Sequence, residues 1–330
     1  MNQRIKGIAA AAAGLLGILA VSAYPAAASA SGGSLVVYSA GPGGLANQLV
    51  QAFEQRTGIQ VQLFQSTTGK VLGRLQAEKS NPHADVVMLA DWSAGDALQQ
   101  EGMLQPFHPT NGQRTIWKGP DGMYYAYSAS ALGITYNTKL VKNPPQTWLA
   151  ALNPQWDNKI VMPDPAQSGS AVDFVGGYLQ TQVLGMNYFK DLGENGTVVQ
   201  GANADALNQV LTGAKDMVLA GVDYMAYADI AKGEPLGIVY PKEGTVVNPR
   251  PTMILKSAHN LANARLFEDF VLSDAGQAIV AKNYLLPGAK GYPANPARAA
   301  LSSINTWNVN WVDLAKHKTS YIESIDSALQ

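Results

Sequence analysis

Four stretches of the sequence combine glycine with hydroxyl or acidic residues where an apolar run gives way to a helical pattern. The first, Ser39-Ala40-Gly41-Pro42-Gly43-Gly44, is a glycine-rich turn that bares backbone N–H groups and sets the Ser39 hydroxyl beside them. Its Gly41-x-Gly43-x-x-Ala46 spacing matches a dinucleotide phosphate fingerprint, but no acid follows about 20 residues later to hold a ribose, so only the anion-ready turn is kept. The second, Ser66-Thr67-Thr68-Gly69-Lys70, is not a nucleotide phosphate loop, because Phe64 stands where the first glycine belongs and Val71 follows the lysine. Thr67 or Thr68 can cap the helix that starts here; the same geometry, with Gly69, presents free N–H groups and a hydroxyl to an anion. The third, Pro163 to Ala171, places Ser168 and Ser170 around Gly169, so that two hydroxyls and several N–H groups can face one oxyanion. Capping alone would need a single serine. The fourth, Gly221 to Tyr227, contains Asp223 beside Tyr224; Asp223 either caps a short helix or accepts a hydrogen bond from a ligand ammonium group.

Such loops need strands and helices to aim them, and the hydrophobic periodicity supplies both. Leu35 to Tyr38 reads as a strand, Ala46 to Arg56 as a helix stopped by Gly58, Ile59 to Phe64 as a strand, Val71 to Lys79 as a helix, and Asp85 to Leu89 as a buried strand. This βαβαβ order predicts an α/β fold with a mainly parallel sheet, whose ligands sit at the carboxyl ends of the strands. Further strands are expected at Gly133 to Tyr136, Lys159 to Met162, Asp216 to Ala220, Leu236 to Tyr240 and Pro251 to Leu255, and an amphipathic helix from Asn260 to Leu272. A chain this long exceeds one usual hydrophobic core, yet no low-complexity linker divides it, which predicts two lobes with several chain crossings.

Composition narrows the chemistry. The 330 residues carry 23 basic against 24 acidic groups and no cysteine, with a sequence pI near 6.4. A near-neutral chain has no electrostatic footprint for nucleic acid, and the lack of thiols removes disulfides, thiolate metal sites and a cysteine nucleophile. At the N-terminus, Arg4 and Lys6 precede an apolar, alanine-rich run over 7–23 and the small residues Ala28-Ser29-Ala30. That pattern predicts a secretory signal peptide over 1–30, cleaved after Ala30, and hence a periplasmic protein for which cytosolic nucleotide cofactors are out of reach.

With those residues in view, the chain resembles the extracellular solute-binding proteins of ABC importers, in the branch that holds ferric-ion-, phosphonate- and sugar-phosphate-binding proteins. The resemblance rests on Leu35-Val36-Val37-Tyr38-Ser39, Phe53 to Ile59, Ala84 to Val87, Pro165 to Ala171, Tyr240 to Thr245 and Phe270 to Ser273. It implies a type II periplasmic-binding-protein fold, two lobes closing on a solute in the cleft between them, with no enzymatic activity, no cofactor and an inner-membrane ABC permease as partner. On that plan lobe I takes approximately 31–128 plus 250–285 and lobe II 129–249 plus 286–330, in a monomer.

The same resemblance bears on the ligand. Where ferric-binding relatives place a histidine, a glutamate and a tyrosine pair, this chain has Pro42, Ala90 and Asp223-Tyr224, so one of four ligands remains and no metal site is expected. The set Ser39, Gly41, Thr67, Thr68, Gly69, Ser168, Gly169, Ser170, Asp223 and Tyr224 then suits a small anionic organic ligand, a phosphonate or phosphate ester. With Asp223 facing an amine, 2-aminoethylphosphonate heads the ligands, followed by hexose phosphate and ferric ion. A secreted hydrolase is the rival class, but His83, His108, His259 and His317 stand in no nucleophile-elbow or zinc-protease motif.

Overall fold

The computed structural model describes residues 33–329; the expected signal peptide lies outside the described residues. In chain order the elements are β1 (Ser34–Ser39), α1 (Gly43–Thr57), β2 (Gln60–Gln65), α2 (Thr68–Ala77), β3 (Val86–Met88), α3 (Trp92–Gln100), β4 (Leu104–Gln105) and β5 (Tyr125–Asn137). They continue with β6 (Ile160–Met162), α4 (Gly169–Thr181), α5 (Met186–Glu194), β7 (Val198–Val199), α6 (Asn203–Leu211), β8 (Met217–Val222), α7 (Asp223–Ile230) and β9 (Leu236–Val239). The chain ends through β10 (Val247–Leu255), α8 (Leu261–Leu272), α9 (Asp274–Lys282), β11 (Leu286–Pro287) and α10 (Trp311–Ala328).

Local chemistry sets the boundaries. In α1 the buried Leu45, Leu49, Val50 and Phe53 share one face, and Gly58, at a φ of 74°, closes the helix by donating its N–H to Glu54 O at 2.8 Å. Thr67 caps α2, its side chain accepting from Lys70 N–H, and Ser168 does the same for α4 through Ala171 N–H.

The strands form one sheet in the order β2-β1-β3-β10-β5-β8-β6-β7, with β4 on β10 and with β9 and β11 on β5. Parallel pairing aligns carboxyl ends. Ser39 stands opposite Gln65 and Met88, and Met162 opposite Val199, so the loops leaving β1, β2 and β3 are neighbours, as are those leaving β6 and β7. The expectation of a mainly parallel sheet needs correction: β5 and β10 run antiparallel to each other and to their neighbours through the centre. Both are far longer than the runs that predicted them. β5 pairs with β10 from Tyr125 to Ala131 and with β8 and β9 from Leu132 to Asn137, so a single strand belongs to both halves of the molecule.

Two main cores flank these strands. One packs α1, α8 and α9 around Leu35, Phe53, Phe267 and Val280, with Trp92 and Tyr124 on the opposite sheet face. The other gathers Trp148, Phe174, Tyr188 and Leu314 against β6 and β8. The α/β two-lobed architecture expected from the sequence is therefore present. Within β10, Pro249 and Pro251 flank Arg250, and the register slips there: Arg250 faces Ser128 and Pro251 faces Ala126, leaving Tyr127 as the extra residue of a bulge. Proline cannot donate to a sheet ladder, and a bulge re-aims the side chains next to it.

Candidate functional site

A cavity of about 490 Å³ opens between the halves, and the starts of five helices meet at it: Gly43 and Gly44 of α1, Thr68 of α2, Gly169 of α4, Asn203 and Ala204 of α6, and Tyr224 of α7. Free N–H groups and the positive ends of helices favour an anion there. Arg250, re-aimed by the bulge, joins them from β10.

Arg250 is 1% exposed. One terminal nitrogen donates to Ala40 O at 3.3 Å, Nε lies 3.5 Å from the Tyr127 hydroxyl, and the guanidinium sits 5.5 Å from the centre of the Tyr224 ring. Among the described residues no carboxylate comes within ion-pairing distance of it. Burial opposes its charge, but Tyr127, Tyr224 and Asp91 act the other way and leave its pKa above the usual arginine value. A buried cation without a counter-ion is costly, so its natural complement is an anion entering the cavity.

The threonine pair divides its work. Thr67 caps α2 at 3.4 Å from Lys70 N, while Thr68 Oγ1 is buried with no hydrogen-bond partner, on a residue that lines the cavity. Ser168 and Gly169 line it too. Ser170 is fully buried behind them: its Oγ lies 3.1 Å from Ser168 Oγ, and Asn203 Nδ2 donates to both serines, at 2.8 and 3.1 Å. The second serine thus fixes the first, a role that capping arithmetic does not reveal.

Of the ten expected ligand residues, the cavity lining contains Thr67, Thr68, Ser168, Gly169 and Tyr224. Ser39, Gly41, Gly69, Ser170 and Asp223 lie off it. Ser39 Oγ accepts from Gly41 N–H at 3.1 Å and so shapes the first loop, where a Cβ on Gly41 would stand 2.8 Å from the Tyr127 hydroxyl. Gly69 lets α2 approach the third loop; a Cβ there would meet Ala166 O at 2.6 Å. Asp223 is committed elsewhere. Its carboxylate pairs with Arg298 at 2.7 Å, accepts from the Tyr240 hydroxyl at 2.8 Å and from Ala131 N–H at 3.2 Å, and both members of the ion pair are fully buried. Burial raises the Asp223 pKa, with Arg298 pulling in the opposite direction. The hydrogen-bonding capacity of this carboxylate is taken up by Arg298, Tyr240 and Ala131.

No motif in the sequence marks Asn203 or Arg250, and Lys70, at the end of the second loop, is exposed and off the lining. The signal for Arg250 was its place between two prolines, just before the strand expected at Pro251 to Leu255. Lys282 at the end of α9, Asn283 and Tyr284 after it, and an Asp229–Lys232 pair at 2.8 Å at the end of α7, complete the rim. Pro42 and Ala90 line the cavity, and none of the four histidines does.

Fold and cavity define a bilobal solute-binding protein. Residues 81–319 match the family model of the bacterial extracellular solute-binding proteins, and the chain belongs to that family. It is 26% identical over 289 residues to the iron uptake protein A1 of Synechocystis sp., covering 79% of this chain and 77% of that one. It is also 26% identical over 282 residues to a Salmonella paratyphi A periplasmic protein provisionally assigned to 2-aminoethylphosphonate binding, with 80% and 81% covered. Among solved structures it superposes with a TM-score of 0.84 on the periplasmic binding protein AfuA of Actinobacillus pleuropneumoniae with fructose 6-phosphate bound, at 23% identity over 91% of this chain and 99% of that one. These relatives are transport proteins of the ABC solute-binding branch rather than enzymes.

Proposed function

We propose that the protein carries a small phosphate ester or phosphonate to an inner-membrane ABC permease from the periplasmic side. The observation behind this reading is the buried, carboxylate-free guanidinium of Arg250 facing a cavity ringed by helix N-termini. The oxyanion sits over Arg250, with the Thr68 hydroxyl and the amides of α2 and α4 completing its shell. A bare ferric ion asks for several anionic oxygens, and beside Arg250 the lining offers Tyr224, Tyr284 and an Asp229 already paired with Lys232.

The organic half follows from the remaining lining. Asp223 is occupied by Arg298, which removes the amine acceptor that 2-aminoethylphosphonate required. Gln167, Asn203 and Asn283 instead offer amides that exchange hydrogen bonds with hydroxyls. We therefore rank a hydroxylated phosphate ester such as a hexose phosphate above the aminophosphonate; a cavity of this size accommodates it. Ligand energy spent on both halves drives closure, with the boundary between lobes placed in the middle of β5 and of β10.

Titration calorimetry of the purified protein with glucose 6-phosphate, fructose 6-phosphate, 2-aminoethylphosphonate, inorganic phosphate and ferric citrate tests the proposal. A hexose phosphate binding most tightly, without release of inorganic phosphate, is the expected result. Tight binding of ferric citrate alone would overturn it, and liberated phosphate would favour a hydrolase.

A further inference from the structure

Behind the cavity wall three ionisable side chains, from the start of one helix and from two others, meet in a largely buried cluster. Asp91 directly follows Ala90, and Asp173 lies one turn into α4 from Gly169; Ala90 and Gly169 both line the cavity. Lys318 comes from the middle of α10, which packs against both α3 and α4. Its Nζ lies 2.5 Å from Asp91 Oδ2, with the lysine side chain 18% exposed and the aspartate fully buried.

The arrangement is a crossed cap. Asp91 occupies the N-cap position of α3 yet makes no capping bond to its own helix. The carboxylate of Asp173 takes its place from α4, accepting from Trp92 N–H at 3.0 Å and from the Ser93 hydroxyl at 2.6 Å. Since Trp92 belongs to one core and Phe174 and Val175 to the other, this cap is a bond between the halves of the molecule. Asp91, turned toward Lys318, has its second oxygen unpartnered and pressed on Gly169, where a Cβ would stand 2.2 Å away.

Two buried carboxylates therefore stand at one helix start, where like charges repel and Asp173 already holds the Trp92 N–H and the Ser93 hydroxyl. Burial, and after it the charge of Asp91, pushes the Asp173 carboxyl well above the usual range, with Lys318 opposing. Arg250 is the other cation whose field reaches Asp91.

We infer that Lys318 is a positioning residue for ligand binding: by holding Asp91 away from the start of α3, it leaves that helix end to Asp173 and keeps the Ala90 and Gly169 walls of the cavity together. This rests on reading the cavity as the solute site. Without the ammonium, Asp91 swings back to cap α3 in the ordinary way, Asp173 is left as a buried carboxylate without donors, and the two halves part.

The test uses Lys318→Met, Lys318→Arg, Asp91→Ala and the double variant Asp91→Ala/Lys318→Met, in the otherwise intact protein. Because the chain has no cysteine, Glu101→Cys and Glu194→Cys give spin-label sites on opposite halves without background. Lys318→Met is expected to shift and broaden the interlobe distance and to weaken glucose 6-phosphate at least tenfold, whereas Lys318→Arg keeps both near wild type. The double variant is expected to recover the distance and the affinity lost with Lys318, as it would for any buried ion pair, so the single variant Asp91→Ala decides. Distance and affinity near wild type in Asp91→Ala support the inference, because alanine cannot compete for the helix end; Asp91→Ala as damaging as Lys318→Met marks a plain structural salt bridge and overturns it. If the unmodified protein binds none of the phosphate esters, the solute reading fails while the distance measurement still decides this one.

Discussion

Arg250→Met separates function from stability in a way few substitutions can. Methionine matches the length of the arginine stem, and the guanidinium it removes is 1% exposed and has only Ala40 O, Tyr127 and a tyrosine ring for company. Replacing buried charge by apolar atoms of similar volume is often stabilising, by about 1–4 kcal/mol. The Ala40 carbonyl loses its donor, which offsets about 1 kcal/mol, though at 3.3 Å that bond is long. A net gain of about 0–3 kcal/mol corresponds, for a chain of this length, to a ligand-free melting temperature higher by roughly 0–5 °C. Binding moves the other way. Two charge-assisted hydrogen bonds to an oxyanion contribute about 3–6 kcal/mol together, so the affinity for glucose 6-phosphate should fall by roughly 10²- to 10⁴-fold. Differential scanning fluorimetry without ligand and calorimetry with it read the two effects on one preparation. A variant that binds within threefold of wild type, or that melts several degrees lower without ligand, refutes the reasoning.

The other predictions are shorter. Thr68→Val should leave the ligand-free melting temperature within about a degree, since the hydroxyl has no partner to lose, and weaken phosphate-ester binding by about 1 kcal/mol, measured by calorimetry. Asn203→Asp should be far worse than Asn203→Ala: the aspartate accepts from both serine hydroxyls, turns their protons inward and adds a negative charge to the lining, so an anion binding equally well to both variants would refute the polarity argument. Glu268 is fully buried on α8, and burial first, then Asp269, raises its pKa well above the usual range. For a raised carboxyl the stabilising contribution is complete below the unfolded pKa of about 4.3 and is lost as pH rises through the folded value. Glu268→Gln, which stays neutral, should therefore melt higher than wild type at pH 8 and no higher at pH 4.

Much of the fold was legible because hydrophobic periodicity is local. Leu49 and Phe53 on one helical face, Gly58 as a stop, and the βαβαβ order each depend on a few neighbouring residues. The central strands were not. Gly133 to Tyr136 showed through as a fragment of β5, and Pro251 to Leu255 as the tail of β10, because the rest of each strand is rich in alanine, serine and proline. Those residues form strands here through pairing on both sides: β5 is covered by β10 and β11 at one end and by β8 and β9 at the other, and pairing partners distant in sequence leave no local trace.

The site was legible as a set of loops and illegible as a charge. Parallel registers make neighbours of the loops leaving adjacent strands, so the hydroxyls and glycines after β1 and β2 group together in one half and those after β6 and β8 in the other; that the two groups face one crevice is set by how the halves meet. The sign of what binds there depends instead on which ion pairs close before any ligand arrives. Asp223 and Arg250 sit 27 positions apart, and nothing in their neighbourhoods says which of them finds a partner. Arg298, from a loop with no regular structure, takes Asp223 and is itself fully buried in doing so. That pairing leaves Arg250 as the buried cation without a counter-ion among the described residues, and turns a cleft with one positive and one negative pole into one with a single positive pole. The zwitterion that suited the first arrangement is a poor fit for the second. Arg298→Met frees Asp223 and should reverse the order, weakening the hexose phosphate and strengthening 2-aminoethylphosphonate; if both ligands weaken together, the ion pair serves only the fold and the preference has another source.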